Sequence, residues 1–182
     1  MSERDLPSLL ASAWDMLEEG ARDAASPARL VTLATLGPEG PELRMLALRA
    51  ARRGASLDLH TDARTPKVVQ LRRDPRASVL AWHPGRQLQL RLRGTVELLE
   101  DGPEARRAWE EVPRAQRWNY GAQPPPGAPI ARPDAYERAE AFWGFAILRL
   151  IVGQIDAVSL KAPHRRALYE RGDGFAGTWL SP

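Results

Sequence analysis

The chain has 182 residues, of which 43% are apolar and 27% charged, which is typical of a single soluble globular domain. It contains no cysteine, so disulfides, thiolate nucleophiles and cysteine-ligated metals or clusters are excluded. The net charge is only +3 and the arginines are scattered, without the basic stripe that is typical of a nucleic-acid-binding surface.

The N-terminal segment predicts a packing helix and no targeting sequence. Residues 1–7 lack a signal-peptide pattern, and no apolar run in the chain reaches the ~20 residues that cross a bilayer. We therefore predict a cytoplasmic protein that does not enter a membrane. From Leu6 to Ala25, leucine, alanine and tryptophan recur at helical spacing, which predicts an amphipathic helix over about residues 5–25.

The next seventy residues predict strands separated by turns. Strands are predicted over residues 30–36, 42–50, 55–60, 76–82 and 87–99. One short helix, residues 66–73, interrupts them, with Thr65 at its N-cap and Pro66 at its first position. Strand–turn–strand repeats with a single helical crossover predict an antiparallel sheet or barrel, not βαβ units.

The C-terminal half predicts further helices and the strands that complete the sheet. Helices are predicted over residues 101–112, with Asp101 as N-cap, and over 113–118 and 133–140, and the proline-rich stretch between 119 and 133 is predicted to be irregular. A strand over 142–152 should continue after Gly153 as 154–160, and residues 164–171 and 177–180 should form a last hairpin. The prediction is one mainly β domain over residues 1–182, with the barrel at about 30–180.

Three polar clusters lie on or at the ends of the predicted strands. They cover residues 44–49, 60–67 and 87–94. In the third cluster, Leu88, Leu90 and Leu92 alternate with amides and guanidiniums, so the leucines should face the core and the polar groups the other side. A solvated outer face would explain that strand alone. Together, the three clusters combine cations, hydroxyls and amides, a set that suits a phosphate attached to a polar heterocycle.

The order and spacing of these motifs carry a family resemblance. Arg44-Met45-Leu46-Ala47-Leu48-Arg49 is followed by His60-Thr61-Asp62, by Thr65-Pro66-Lys67 opening a helix, by the stretch from Arg72 to Trp82, and by Gln89 five residues before Gly94. This pattern resembles the pyridoxamine 5′-phosphate oxidase family of FMN-binding split barrels, from about Leu30 to the C-terminus. It is most similar to the bacterial subgroup related to that oxidase. The resemblance implies a six- to eight-stranded antiparallel split β-barrel with flanking helices, assembled as a homodimer with FMN at the two-fold interface.

At the phosphate end of the cofactor, the resemblance implies a clamp of Arg44 and Lys67 with Thr65 and Arg64. The start of the predicted helix at Pro66 would add backbone N–H groups and a favourable dipole. Family members carry arginine where this chain has Pro66, and Arg64 is a candidate replacement for the missing ligand. The alternative for Arg64 is a solvated turn residue.

At the ring end, the resemblance implies contacts from both subunits. His60, Thr61 and Gln89 would approach the isoalloxazine, and Gln123 would reach across from the partner, although the serine expected after it is Pro124. Arg166 matches a C-terminal family arginine, but the tryptophan expected upstream of it is missing. The predicted cofactor-binding residues are Arg44, Met45, Leu46, Arg49, His60, Thr61, Arg64, Thr65, Lys67, Gln89, Gln123 and Arg166.

Arg49 occupies the position of a family lysine that lies near both flavin and substrate. On a flat strand Arg44 and Arg49 point to opposite faces, because they are five residues apart. Both could serve one ligand only if the strand has a bulge or if Arg49 reaches around the strand end. We predict one of these two arrangements.

The predicted substrate site departs from the family pattern. Family members hold a substrate phosphate with an arginine and a serine where this chain has Val112 and Gln116. Their C-terminal Arg-x-His reads Ala162-Pro163-His164 here. Because a site that lacks its phosphate ligands binds that substrate poorly, we do not predict a vitamin B6 oxidase. Arg49, Gln116 and His164 remain the candidate substrate-binding residues.

Three function classes follow from these observations. The first is an FMN-dependent oxidoreductase that acts on a small organic substrate or a reduced nicotinamide. The second is a split barrel that uses a deazaflavin or haem, as relatives do, and the third is a non-catalytic flavin or ligand carrier. The three histidines show no metal-ligand spacing, so no metal site is predicted.

Overall fold

A computed structural model describes residues 5–182 of the chain. Eight strands are present: β1 (Leu30–Gly37), β2 (Gly40–Arg52), β3 (Ser56–Asp62), β4 (Arg76–His83), β5 (Leu88–Leu99), β6 (Phe145–Ser159), β7 (Arg165–Glu170) and β8 (Thr178–Leu180). Four α-helices accompany them: α1 (Leu6–Arg22), α2 (Pro66–Arg73), α3 (Gly102–Glu111) and α4 (Arg114–Arg117). Short 3₁₀ turns cover Pro27–Arg29, Trp118–Tyr120, Phe142–Gly144 and Arg171–Asp173.

All eight strands belong to one antiparallel sheet in the order β3-β2-β1-β4-β5-β6-β7-β8. The first half of β6, residues 145–151, also pairs with β3, and this ladder closes six strands into a barrel. The second half of β6 pairs with β7 instead, so β7 and β8 extend the sheet beyond the closed part. The predicted antiparallel split barrel with flanking helices is therefore confirmed.

Leucine, isoleucine and valine side chains fill the barrel. Leu88, Leu90 and Leu92 are fully buried and Gln89 is exposed, which confirms the alternation predicted for β5. Helix α1 closes one side of the core with Leu9, Trp14 and other buried apolar residues. Since a barrel of this size has an interior that side chains already fill, a ligand as large as a flavin has to lie outside it.

The predicted helices α1, α2 and α3 are present, with small differences at their ends. Helix α1 ends at Arg22 instead of Ala25, where Asp23 turns extended. Helix α2 has the predicted bounds. Thr65 and Asp101 occupy the N-cap positions of α2 and α3, but neither side chain caps its helix. No helix among residues 5–182 is both long and apolar enough to cross a membrane.

One prediction for the C-terminal half is wrong, and a second is confirmed except at the start of its strand. Residues 133–140 do not form a helix; this stretch is irregular, and Glu137 exchanges two backbone hydrogen bonds with Gln123. A short isolated helix without an apolar face has little to stabilise it, and a backbone bridge replaces it here. Residues 142–144 form a 3₁₀ turn, after which one continuous strand runs from Phe145 to Ser159 through Gly153.

Candidate functional site

A cluster of cations, hydroxyls and an amide lies at one end of the barrel. It consists of Thr35, Arg44, Thr61, Lys67 and Gln70, and we call it the rim cluster. The end of β1, the start of β2 and the end of β3 meet here because these strands are antiparallel neighbours. Helix α2 begins at Pro66 and packs on β1. The first turn of α2 therefore lies at the same end of the barrel.

Lys67 lies in the first turn of α2 and reaches back to the preceding strand. Its Nζ donates a hydrogen bond to the Oγ1 of buried Thr61 at 3.1 Å. The Oγ1 of Thr65 lies 3.4 Å from the same hydroxyl and donates to the carbonyl of Asp62. The ammonium of Lys67 is thus held beside two hydroxyl groups at the end of β3.

Arg44 is fixed by side chains of β1 and α2. One Nη group donates to Thr35 Oγ1, and the other donates to Gln70 Oε1 at 3.3 Å and to Glu42 at 3.0 Å. The hydroxyl of Thr35 donates in turn to Gln70 Oε1 at 2.6 Å. Thr35 and Gln70 are buried, so they hold the guanidinium in one position.

The rim cluster carries more positive than negative charge. Burial lowers the pKa of Lys67, and the nearby charge of Arg44 lowers it further, against the opposing attraction of Asp62. Within the described residues, Lys67 forms no ion pair with a carboxylate. Two neighbouring cations with hydroxyl groups between α2 and β3 fit the charge and the hydrogen-bond acceptors of a phosphate group.

The side chain of Arg64 pairs with Asp62 and is not part of the rim cluster. Its guanidinium forms a bidentate pair with the buried carboxylate of Asp62, at 3.0 and 2.6 Å, and lies 4.6 Å from the ring centroid of Trp143. Its backbone N–H also donates to Asp62. This geometry favours a turn-stabilising role, and the phosphate contact of Arg64 stays a prediction.

Of the two arrangements predicted for Arg49, the bulge in β2 is present. The pairing of β2 with β3 shifts register between Leu48 and Ala50, which leaves Arg49 as the extra residue. Its Nη2 donates to Gln116 Oε1 at 3.2 Å, and its buried Nε has no hydrogen-bond partner in the described part of the chain. The structure therefore brings together two of the three candidate substrate-binding residues.

His60 lines a pocket of about 220 Å³ with Arg49, between α3 and strands β2, β3 and β6. Burial lowers the pKa of His60 to about 4, and the charge of Arg49 acts in the same direction. The imidazole is therefore neutral at pH 7. Its ring packs edge-on against Phe145 at 4.8 Å, and its buried Nδ1 lacks a hydrogen-bond partner within residues 5–182.

A second polar cluster lies on the outer faces of β5, β6 and β7, and we call it the sheet cluster. It contains Gln89, Arg91, Asp156 and Arg166. Asp156 is buried and accepts hydrogen bonds from Arg91 and from Arg166, the latter at 3.1 and 3.0 Å. Burial alone would raise the pKa of Asp156, but the two guanidiniums outweigh it and the pKa is lowered. Gln89 and Arg166 face each other across Val158.

The rim cluster and the sheet cluster are separate within one chain. Between Thr61 on β3 and Gln89 on β5 lie three strands in one direction around the barrel. In the other direction only β6 intervenes. On β6, Ala146 pairs with Thr61 and Val158 pairs with Gln89. These two β6 residues are twelve positions apart, which is roughly 40 Å of extended strand. One chain thus does not bring these two predicted halves of the cofactor site together.

The remaining predicted site residues lie at other places on the surface. Met45 is 61% exposed on the outside of β2, whereas Leu46 packs against the core. Gln123 is exposed in the proline-rich loop, and His164 is exposed before β7. The sequence analysis missed Thr35, Gln70 and Asp156, since only the folded chain places them beside the predicted arginines.

No group of three or more histidine, aspartate or glutamate side chains among residues 5–182 is placed to hold a metal ion. The protein is an antiparallel barrel whose interior is filled by side chains and whose rim carries two cations beside hydroxyl groups. These features define a split barrel, whose filled interior leaves only the outer surface for a large ligand.

Comparisons with known proteins identify the family. Residues 11–100 match the family described as "Pyridoxamine 5′-phosphate oxidase, FMN-binding domain". A pyridoxine/pyridoxamine 5′-phosphate oxidase from Kineococcus radiotolerans is 34% identical over 134 residues, which are 70% of this chain and 52% of the relative. The chain thus spans about half the length of that curated relative.

Solved structures agree with this assignment. A pyridoxamine 5′-phosphate oxidase-related, FMN binding protein from Nostoc punctiforme superimposes with a TM-score of 0.75 at 26% identity, covering 94% of this chain and 96% of its own. PhzG from Burkholderia lata, solved with tetrahydrophenazine-1-carboxylic acid, gives 0.71 at 19% identity, covering 99% and 95%. The chain belongs to the pyridoxamine 5′-phosphate oxidase-related family of FMN-binding split barrels.

The fold alone does not determine the cofactor. A heme binding protein from Mycobacterium smegmatis matches with a TM-score of 0.55 at 20% identity, over 86% of this chain and 58% of its own. An F420 reductase matches with 0.50 at 19% identity, over 78% and 93%. At these identities the likeness extends to the fold only.

Proposed function

We propose that this chain binds FMN and acts as a flavin-dependent oxidoreductase on a small organic molecule. The observation that carries the proposal is the pair of cations in the rim cluster. Lys67 is partly buried beside Arg44 with no carboxylate ion pair among the described residues, and Thr61 and Thr65 place hydroxyls next to it. Family membership makes the phosphate of FMN the first candidate ligand.

In this proposal the rim cluster holds the phosphate. Arg44 would supply a guanidinium fork that Thr35 and Gln70 keep in place, and Lys67 would supply a point charge. Met45, Leu46, Arg49, His60 and Thr61 would flank the rest of the cofactor along β2 and β3. The pairing of Arg64 with Asp62 leaves Arg64 as the weakest member of the predicted set.

We further propose that the ring end of the site is completed by a second copy of the chain. The separation of the sheet cluster from the rim cluster supports this, because Gln89 and Arg166 would meet a cofactor held by the partner's rim cluster. Exposed apolar side chains on the outer faces of β1, β2 and β4 support a partner on this side: Leu30, Leu43, Met45, Leu80 and Trp82 are 40–65% exposed. Gln123, in the proline-rich loop, would reach across the same interface.

Bound FMN would supply two-electron redox chemistry, and the chain would supply binding and electrostatics. Arg49 is a permanent cation beside the neutral imidazole of His60, so it would stabilise negative charge on the ring or on the substrate. Gln116 positions this guanidinium through its Oε1 atom. His164, the third candidate substrate residue, is exposed and would act only from the partner's side or after loop closure.

The visible spectrum of the purified protein tests this proposal. We expect flavin absorbance, FMN released on heating, and a dimer by light scattering. Arg44→Ala should fold but purify without colour, whereas Arg72→Ala, on helix α2 and paired with Glu100 outside the rim cluster, should retain FMN.

Other outcomes separate the alternatives. A colourless protein that does not take up added FMN contradicts the cofactor assignment, and a haem or deazaflavin spectrum replaces it. An FMN-loaded protein that oxidises neither reduced nicotinamides nor small organic donors would be a flavin carrier.

A further inference from the structure

A pocket of about 420 Å³ opens beside Arg49, between the α1–β1 connection and strand β2. Its lining includes Ser26, Pro27, Arg29, Arg49 and Gln116. It shares Arg49, but no other lining residue, with the His60 pocket. None of its lining residues is an aspartate or glutamate, so two arginines face the space without a carboxylate among them.

Arg29 is held in place through only part of its hydrogen-bonding capacity. One of its Nη atoms donates to the carbonyls of Ala21, at 2.8 Å, and Gly20, at 3.4 Å, near the C-terminal end of α1. Within residues 5–182, its Nε and second Nη group form no hydrogen bond with the chain. The helix end therefore fixes the position of the guanidinium while leaving donors available to a ligand.

Arg49 likewise uses only part of its hydrogen-bonding capacity. Gln116 accepts one hydrogen bond from its Nη2, and its Nε is buried and unpartnered in the described chain. The two guanidiniums also repel each other: burial lowers the pKa of Arg29, and the charge of Arg49 adds to the effect. An anion bound between the two guanidiniums would reduce this repulsion and accept hydrogen bonds from the N–H groups that have no partner in the described chain.

We propose that the pocket between Arg29 and Arg49 binds the oxyanion group of the substrate, either a carboxylate or a phosphate monoester, and that Arg29 is a specificity-determining residue. The assignment of the ligand as substrate rests on the proposed function, whereas anion binding itself does not. Two planar guanidinium forks suit an oxyanion better than they suit a neutral polar group.

Isothermal titration calorimetry on the protein as purified, with its cofactor, tests this inference. Benzoate and phenyl phosphate represent the two oxyanions, and benzamide is the neutral control. We expect at least one anion to bind about tenfold or more tighter than benzamide, since hydrogen bonds to charged groups are the stronger kind. The preferred anion identifies the class of substrate.

Arg29→Gln and Arg29→Ala should each weaken binding of the preferred anion about tenfold or more. Arg29→Gln keeps a donor for the Ala21 carbonyl, so it remains informative if Arg29→Ala fails to fold. Arg76→Ala removes the same charge from the exposed start of β4 and should leave binding unchanged.

Binding that does not distinguish benzoate and phenyl phosphate from benzamide overturns the inference, and so does wild-type affinity in Arg29→Gln. FMN content, read from the visible spectrum, is a separate readout that Arg29 should not affect. A protein without FMN that still binds the anions through Arg29 would refute the proposed cofactor and retain the anion site.

Discussion

Replacing Lys67 with methionine should change ligand affinity and ligand-free stability in opposite directions. Methionine is similar in length to lysine, so it fills the partly buried position without the positive charge of the lysine. In the proposed FMN complex, the substitution would remove one charge-assisted contact to the phosphate, worth about 1.5–3 kcal/mol. The dissociation constant for FMN should therefore rise roughly 10- to 150-fold.

Without ligand, the charged ammonium of Lys67 destabilises the folded chain. Its pKa is lowered by burial and by the charge of Arg44, so the charged form is less favourable in the folded chain than in water. Lys67→Met should thus leave the apoprotein as stable as wild type or more stable. A gain of about 1 kcal/mol would raise Tm by roughly 2–4 °C.

Fluorescence titration with FMN and thermal unfolding of the apoprotein measure the two effects. Lys161→Met, which changes the only other lysine of the chain, serves as the matched control and should leave FMN affinity unchanged. A Lys67→Met protein that is less stable without FMN, or that binds FMN as tightly as wild type, would refute the argument that Lys67 is held for an anion.

Three further predictions follow from the charged groups around the barrel. Arg64→Ala should lower the unfolding free energy by about 2–3 kcal/mol in urea, because it leaves the buried Asp62 unpaired, yet change FMN affinity less than about threefold; a large loss of FMN affinity with unchanged stability would show that Arg64 is the missing phosphate ligand. Arg149→Ala should cost about 2 kcal/mol, since it removes one of the two arginines that pair with buried Asp58 and leaves Arg52 in place, whereas Arg53→Ala, which loses only exposed ion pairs, should cost less than about 1 kcal/mol; equal losses would contradict this. The pKa of His60 is lowered to about 4 from 6.5, so the unfolded chain binds more protons between these values and stability should fall as pH drops from 6.5 to 4. Urea unfolding of His60→Gln should show a weaker fall over that range, and an unchanged pH profile would contradict it.

The sequence predicts the parts of the fold that depend on local periodicity. The leucine alternation of β5 and the Thr65-Pro66 start of α2 each carry a signal within a few residues, and both elements are present. The five positions between Arg44 and Arg49 predicted either a bulge or an Arg49 that reaches around the strand end, and the structure shows the bulge. The helix predicted over residues 133–140 is absent. The composition of this stretch permits a helix, but tertiary contacts determine whether a short helix is stable.

The candidate site was less predictable than the fold. Arg44 and Lys67 follow a motif, but the groups that hold Arg44, Thr35 and Gln70, come from other elements and carry no motif of their own. The sequence likewise gave no sign that Arg64 would pair with Asp62 two positions earlier. Arg29 was missed for the same reason, since its significance depends on the position of Arg49 in space.

The position of β6 in the barrel has a consequence for how the chain is made. Strand β6 closes the barrel by pairing with both β3 and β5, and it begins at Phe145, more than eighty residues after β3 ends. A nascent chain that has emerged only as far as β5 therefore exposes two unpaired strand edges, at β3 and at β5. Residues 11–100, the part that matches the family, should not fold alone and should aggregate or recruit chaperones until β6 is synthesised.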